Sequence, residues 1–386
     1  MCGMKIKLIT VLIIGVFLSS GVGLVHASDS PSARMGHSMA YDPQGERVLL
    51  FGGCIWRDNR YTFYNDLWSY SDGSWSEIEV SGVKPSGRFN IPMVYVPDRH
   101  QLFVFGGFSS SDRIGDTWIY DIAANEWIKL QPDTSPPRRS DAAIAYDEVN
   151  KVVVMFGGYG ANDDTLDDTW VFDFSEMNWI EKNPANKPLI QYGGHMVYDS
   201  VNGELLMYPG HWSIKSNGAL ISHGYGDEVW RYSYEENSWT ELETSPKPRG
   251  RYWFNLAYDT DNGKMILFGG STGGSSQLSD TWLYDYGENI WSEITTQPRP
   301  PVRANSAMAY SSSSNSVVLF GGSHLNQATY DDTWILDVET GTWSEIVLEN
   351  ESQTEEQQSI PGFTFSAACI GIVFTLWIKR SHKLRV

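Results

Sequence analysis

The sequence predicts an all-β fold of six four-stranded antiparallel units, and three observations carry that prediction. The run Phe-Gly-Gly recurs at 51–53, 105–107, 156–158, 268–270 and 320–322, and residues 207–210, Met-Tyr-Pro-Gly, fill the remaining place. After each comes an Asp two residues before a Trp, at Asp66/Trp68, Asp116/Trp118, Asp168/Trp170, Asp280/Trp282 and Asp332/Trp334. Asp227 and Trp230 stand one residue further apart. A second Trp follows at 75, 127, 179, 239, 291 and 343, at spacings of 52, 52, 60, 52 and 52.

Each repeat reads as four short strands. In the first, HSMAYD leads through Pro43-Gln44-Gly45 into RVLLFGG. In the third, AIAYD leads through Glu148-Val149-Asn150 into KVVVMFGG. Gly45 and Asn150 are expected to supply the positive φ that such hairpins need. A third strand such as DTWIYD then turns through IAANE into a fourth that begins at Trp127. Asn125, Asn237, Asn289 and Gly341 share one place in this second turn, where Met177 departs. Apolar residues alternate with a period of two, and no unit can bury both its faces alone, which points to a β-propeller.

The double Gly at a strand end, the aromatic residue in DTWIYD and the later Trp resemble the Kelch repeat. The spacing from Tyr120 to Trp127 recurs at Phe172/Trp179, Tyr232/Trp239, Tyr284/Trp291 and Leu336/Trp343. The resemblance covers residues 34–348 and implies a six-bladed Kelch-type β-propeller with four strands per blade. Every copy runs from first to fourth strand, so no exchanged strand is expected to close the ring, and the closing device is not legible.

Topology brings the start of the first strand, the end of the second and the start of the third to one rim. Arg34, Arg88, Arg139, Arg251 and Arg303 each stand seven residues before the Tyr of the first strand, with Gln191 in the fourth copy. Two readings compete for them. Each Arg can bridge the Asp or the Gly-Gly carbonyls, as a planar guanidinium fork suits. Alternatively, the set lines a central mouth for an acidic peptide or a sugar. Repetition in nearly every copy favours the first.

The loops between second and third strands break the symmetry, with 12, 8, 9, 16, 9 and 9 residues. Loops on a rigid frame carry function. The first, CIWRDNRYTFYN, offers Trp56, Arg57, Arg60, Tyr61 and Tyr64, and the fourth offers His211, Trp212, Lys215, His223 and Tyr225. Aromatic rings beside cations suit a sugar or a peptide. His211 and His223 form a weak metal signal without a nearby carboxylate. Ala161–Asp168, ANDDTLDD, lacks a recognisable cation-loop pattern and reads as a solvated turn. His37 and His195 are expected to pack within first strands.

The net charge is −19, and without residues 1–27 and 362–386 the body keeps 22 basic against 47 acidic residues, or −25. Such a body repels phosphate, so no nucleic acid is expected as partner. Lys5, Lys7, the apolar run Leu8–Leu18 and Val25-His26-Ala27 read as a signal peptide over 1–27, with a leader at 28–33. Cys54 is the one body cysteine, so no intrachain disulfide is expected there. An acidic linker follows at 349–360, with the sequon Asn350-Glu351-Ser352. Then come Pro361-Gly362-Phe363, an apolar run to Ile378 and a basic end. This arrangement resembles the archaeal PGF-CTERM sorting signal. The resemblance implies removal by an archaeosortase and attachment to a membrane lipid, with 361–363 as the sorting motif. A retained transmembrane helix is the alternative, although 16 apolar residues span only about 24 Å.

No nucleophile–base pair, phosphate loop or metal cage stands out, so neither cofactor nor catalytic residue is expected. The expectation is a non-catalytic, surface-attached module that binds a protein or glycan. A sugar-modifying enzyme, a structural envelope component and an adhesin are the alternatives.

Overall fold

In the computed structural model the described residues are 30–110, 112–161, 164–189, 191–216, 219–324 and 328–347. The signal peptide, the linker, the sequon and the sorting tail lie outside them, as do Asn162 and Asp163 of the acidic turn. Among the described residues no helix is long and apolar enough to cross a membrane.

Alternation of apolar and polar residues produces the expected strands. In repeat one, Ser38–Asp42 pairs antiparallel with Arg47–Phe51, which pairs with Leu67–Ser71, which pairs with Ser74–Glu77. The other five repeats give sheets in the same order, repeat three adding a short strand at Arg139–Ser140. A 3-10 turn lies at Pro97–Arg99. The fold is an all-β propeller.

The second turn behaves as expected. Asn125, Met177, Asn237, Asn289 and Gly341 all have φ between +46° and +65°. The first turn differs. Glu46 and Lys151 take the positive φ, one residue after Gly45 and Asn150. The reason is the Asp that ends the first strand. Asp42 Oδ1 accepts from the backbone N–H groups of Gln44 and Gly45, and Asp147 does the same for Val149 and Asn150. These Asx turns wind the chain early and push the left-handed residue to the strand entrance.

First strands lie innermost and neighbour one another in chain order, with Ala307–Ser311 beside Ser38–Asp42. Between sheets, the aromatic residue before each Gly pair meets the fourth-strand Trp of the next repeat. Ring centres are 4.7 Å apart for Phe51–Trp127, 5.1 Å for Phe105–Trp179, 4.9 Å for Phe156–Trp239 and 5.3 Å for Phe268–Trp343. Tyr208–Trp291, at 5.6 Å, keeps the contact where the double Gly is lost. Such pairs add about 0.5–1.5 kcal/mol each beyond their buried area.

Closure uses no strand exchange among the described sheets. Phe320 packs on Trp75 at 5.1 Å, and Trp75 donates to Thr333 at 2.9 Å. The N–H of Arg34 donates to the carbonyl of Tyr330, and the N–H of Gly322 donates to the carbonyl of Arg34. The ends of the ring are clasped by main-chain and side-chain hydrogen bonds together with ring packing.

Candidate functional site

Five arginines frame the rim from inside. Arg34, Arg88, Arg139, Arg251 and Arg303 are all 0% exposed. In each, Nη1 donates to the first Gly carbonyl of its own repeat at 2.8–2.9 Å. The same atom lies 2.5–2.8 Å from the rim Asp. The Trp two residues beyond donates its indole N–H to that Asp, at 2.7–2.8 Å. Burial tends to raise these carboxyl pKa values. The guanidinium and indole outweigh it and hold Asp66, Asp116, Asp168 and Asp280 below the ordinary range. The arginines therefore hold strand ends together and do not face an open mouth.

Two residues after each Arg position, a second ring surrounds the axis. Gly36 donates its backbone N–H to the carbonyl of Asn305, Asn90 to Gly36, Asp141 to Asn90, Gly193 to Asp141, Trp253 to Gly193 and Asn305 to Trp253. The circuit closes with all six distances between 2.6 and 3.1 Å. Every member is left-handed, with φ from +51° to +67°. Gly36 fits because a Cβ there would strike the Asn90 side chain. Asn and Asp tolerate this conformation, whereas a bulky residue such as Trp253 is an outlier.

Above this ring lies a cavity of about 370 Å³. Its lining includes Tyr61, Phe89, Phe108, Tyr159, Tyr192 and Trp253, together with the polar Asn90, Asp141, Asn305, Ser140 and Gln277. The aromatic rings form an arc over one side. Trp56 stands 4.5 Å from Tyr61, Tyr61 stacks on Phe89 at 5.8 Å, and Phe89 meets Phe108 edge-on at 5.4 Å. Arg113 lies over Phe108 at 5.3 Å and over Tyr159 at 4.3 Å, joining the two halves. Tyr159 packs on Tyr192 at 4.8 Å, which approaches Trp253 at 6.5 Å. Met35, Ala304 and Ser323 make the opposite wall small. A symmetric frame thus carries an asymmetric mouth.

The long loops fold as hairpins at this rim, Cys54–Arg57 with Arg60–Phe63 and His211–Ser216 with Ala219–Tyr225. Tyr61 reaches the mouth, Trp56 leans on it at 49% exposure, and Arg57 is exposed. His211 and His223 lie 5.5 Å apart, and Tyr225 stacks on Tyr252 at 5.4 Å. Burial lowers the pKa of His211, with the neighbouring His223 adding to it. Among the described residues no group of three or more His, Cys, Asp or Glu could hold a metal. Trp212, paired with Gly224, is not in the mouth lining. Below the six-residue ring an axial channel of about 290 Å³ is lined by His37 and His195 among others.

Sequence reasoning found Tyr61 but missed Phe89, Tyr159, Tyr192, Asp141 and Trp253. For Phe89 and Tyr192 the signal was there, in the residue after each repeated Arg position. Met35, Phe89, Ser140, Tyr192, Tyr252 and Ala304 vary freely beside a nearly fixed neighbour.

Residues 23–210 and 200–374 match the family described as the KLHDC2/KLHL20/DRC7 Kelch-repeats domain. The chain belongs to this Kelch-repeat family. It is similar to the flagellar outer arm dynein alpha chain of Chlamydomonas reinhardtii, at 24% identity over 76% of this chain and 7% of that one. It is 25% identical to an F-box/kelch-repeat protein of Arabidopsis thaliana over 81% of this chain and 56% of that one. Kelch domain-containing protein 2 of Bos taurus is 38% identical over 34% of this chain and 31% of its own length. The chain thus spans little more than half, or far less, of the curated relatives it matches.

Proposed function

We propose that this chain is an exported, surface-attached, six-bladed Kelch propeller that acts as a non-catalytic binding module and seats a partner protein in its aromatic mouth. One observation carries the reading. The frame repeats six times with nearly the same residues, yet the residues lining the cavity differ from repeat to repeat. Frame residues serve the fold, whereas a site departs from its symmetry. The closed circuit of six backbone hydrogen bonds supports the blade count. A relative whose name joins a kelch repeat to an F-box, and others named as kelch domain-containing proteins, support interaction as the family's general use.

A glycan is the second reading, favoured by aromatic rings and the planar amides of Asn90, Asn305 and Gln277 in one lining. Attachment rests on the Pro361-Gly362-Phe363 tail, as a sorting signal read by an archaeosortase-like enzyme or as a retained anchor. The test displays the secreted body on cell-surface protein and glycan arrays, beside Phe89→Ala, Tyr192→Ala and, at the other end of the blades, Val149→Asp. Capture lost in the first two alone supports the mouth. Capture lost only in Val149→Asp overturns it. Deleting residues 359–386 is expected to release folded protein into the medium, and cell-bound protein after that deletion would refute the tail assignment.

A further inference from the structure

The six-residue ring has one job that any left-handed-tolerant residue can do, and two of its members do more than that job requires. Gly fills the place in repeats one and four, and Asn fills it in repeats two and six. Repeat three has Asp141, a carboxylate, and repeat five has Trp253, a bulky aromatic in a conformation that L side chains with large substituents avoid. The two exceptions touch. Trp253 Nε1 donates to Asp141 Oδ1 at 2.9 Å, Asn90 Nδ2 donates to the same oxygen at 2.6 Å, and Ser140 Oγ donates to Oδ2 at 2.6 Å.

We propose that Asp141 receives a cationic side chain, a lysine or arginine of a partner polypeptide, enclosed by the electron-rich rings of the mouth. The proposal rests on the reading of the mouth as a binding site and names what it selects. All three hydrogen-bond donors to Asp141 are neutral, so they orient the carboxylate, and Arg113 in the same lining acts on it through space, with no hydrogen bond between them among the contacts described. Asp141 is the only carboxylate among the described lining residues of the mouth. Keeping a charge in a partly enclosed aromatic cup costs desolvation, and burial indeed pushes this carboxyl upward despite its donors. Asn would satisfy the ring without that cost, as Asn90 and Asn305 do.

The walls suit the same ligand. Tyr, Phe and Trp faces attract ammonium and guanidinium groups. Arg113, over Tyr159 at 4.3 Å, shows that this surface accepts a guanidinium from within the chain. A partner side chain reaching the floor passes between those rings and ends on Asp141. A neutral side chain of equal length would gain the apolar contact and leave the carboxylate with only the more distant Arg113 as counter-charge.

Asp141→Asn is a clean probe. Its Oδ1 can still accept from Asn90 and Trp253, its Nδ2 can donate to the Ser140 hydroxyl, and the backbone conformation is one Asn already holds twice in this ring. The full chain is titrated with acetyl-Gly-Lys-Gly-amide, acetyl-Gly-Arg-Gly-amide and the norleucine counterpart. Binding is followed at the Trp253 indole N–H resonance, identified by its loss in Trp253→Phe. Expected are binding of a cationic peptide, roughly tenfold weaker binding of the norleucine peptide, and loss of that difference in Asp141→Asn with an unchanged or higher melting midpoint. Equal binding of norleucine and cationic peptides overturns the proposal and leaves the mouth standing as a site. So does an Asp141→Asn variant that melts several degrees lower yet keeps its selectivity, because the charge is then structural. Silence from every peptide, with partner capture untouched by Tyr192→Ala, overturns the proposal together with the mouth.

Discussion

Arg88 and Asp116 meet at 2.7 Å, from Nη1 to Oδ1, at the point where three strands of one repeat come together. Nη1 also donates to the Gly106 carbonyl at 2.9 Å, and Nε donates to the Ser86 carbonyl at 3.0 Å. One guanidinium therefore ties the approach to the first strand, the end of the second and the start of the third. The double Gly allows this, because a Cβ on Gly106 would strike the carbonyl oxygen of Arg139 in the next repeat.

Arg88→Met should be among the most damaging single changes. It leaves the Asp116 carboxylate, 17% exposed, with only the half-exposed Lys129 ammonium at 3.9 Å in place of the buried fork. Breaking one side of such a buried pair costs about 3–5 kcal/mol. Arg138→Ala removes an ion pair with Asp112 whose side chains are both about half exposed, and should cost less than about 1 kcal/mol. Urea unfolding midpoints of the two variants separate the cases, and equal losses would refute the role given to the buried fork.

Acid should weaken the protein before its carboxylates titrate. Burial lowers His37 to about 3, with Arg34 adding to the effect, and burial alone lowers His195 to about 4. In the unfolded chain both titrate near about 6.5. Below that pH the unfolded chain binds more protons, so their contribution is complete above about pH 6.5 and falls as pH drops toward the folded values. The slope reaches about 1.4 kcal/mol per pH unit for each histidine. The depressed rim carboxylates add a further loss only below about pH 4. His37→Phe should flatten the decline between pH 6.5 and 4 in denaturant titrations. A decline of unchanged slope would place the acid sensitivity elsewhere.

The frame was legible because its contacts repeat with the sequence. Phe51 and Trp127, or Arg88 and Asp116, recur at fixed spacing, so each copy corroborates the others. The mouth was less legible for the opposite reason. Tyr192 and Trp253 are 61 residues apart and belong to no repeated motif, yet ring geometry places both at one cavity. Loop length drew the eye to Tyr61 and also to Trp212, but which face a hairpin residue takes depends on register. Trp212 pairs with Gly224 and Gln191, while its neighbour His211 meets Tyr192 and Tyr252.

Cys54 should behave as an inert thiol. It is 0% exposed at the base of the first hairpin, and burial pushes its pKa up to about 12. The reactive species is the thiolate, so iodoacetamide at about pH 8 should label it only as the chain unfolds. Mass spectrometry over a urea series would then give a labelling curve that follows global unfolding. Rapid labelling in native buffer would show instead that the hairpin opens on its own.

A last prediction comes from two indoles. Trp75, Trp179, Trp239 and Trp343 each donate Nε1–H to a Thr hydroxyl of the preceding repeat around the ring, at 2.9–3.1 Å. Trp127 and Trp291 are buried without a partner for that atom. The cause is in the Thr position itself, which reads Leu67 in repeat one and Val229 in repeat four. Trp127 packs in the same cluster as Leu67, and Trp291 in the same cluster as Val229. Val229→Thr nearly preserves shape and puts a hydroxyl beside a donor that lacks an acceptor. A buried Val→Thr change is ordinarily unfavourable because the hydroxyl goes unpaired. Here it should gain about 0.5–1.5 kcal/mol. Thr281→Val, which orphans Trp343, should lose about 1–3 kcal/mol. Urea midpoints at constant slope measure both. If both substitutions destabilise alike, the hydroxyl is not acting through the indole, and the pairing of Trp with the preceding Thr is packing rather than hydrogen bonding.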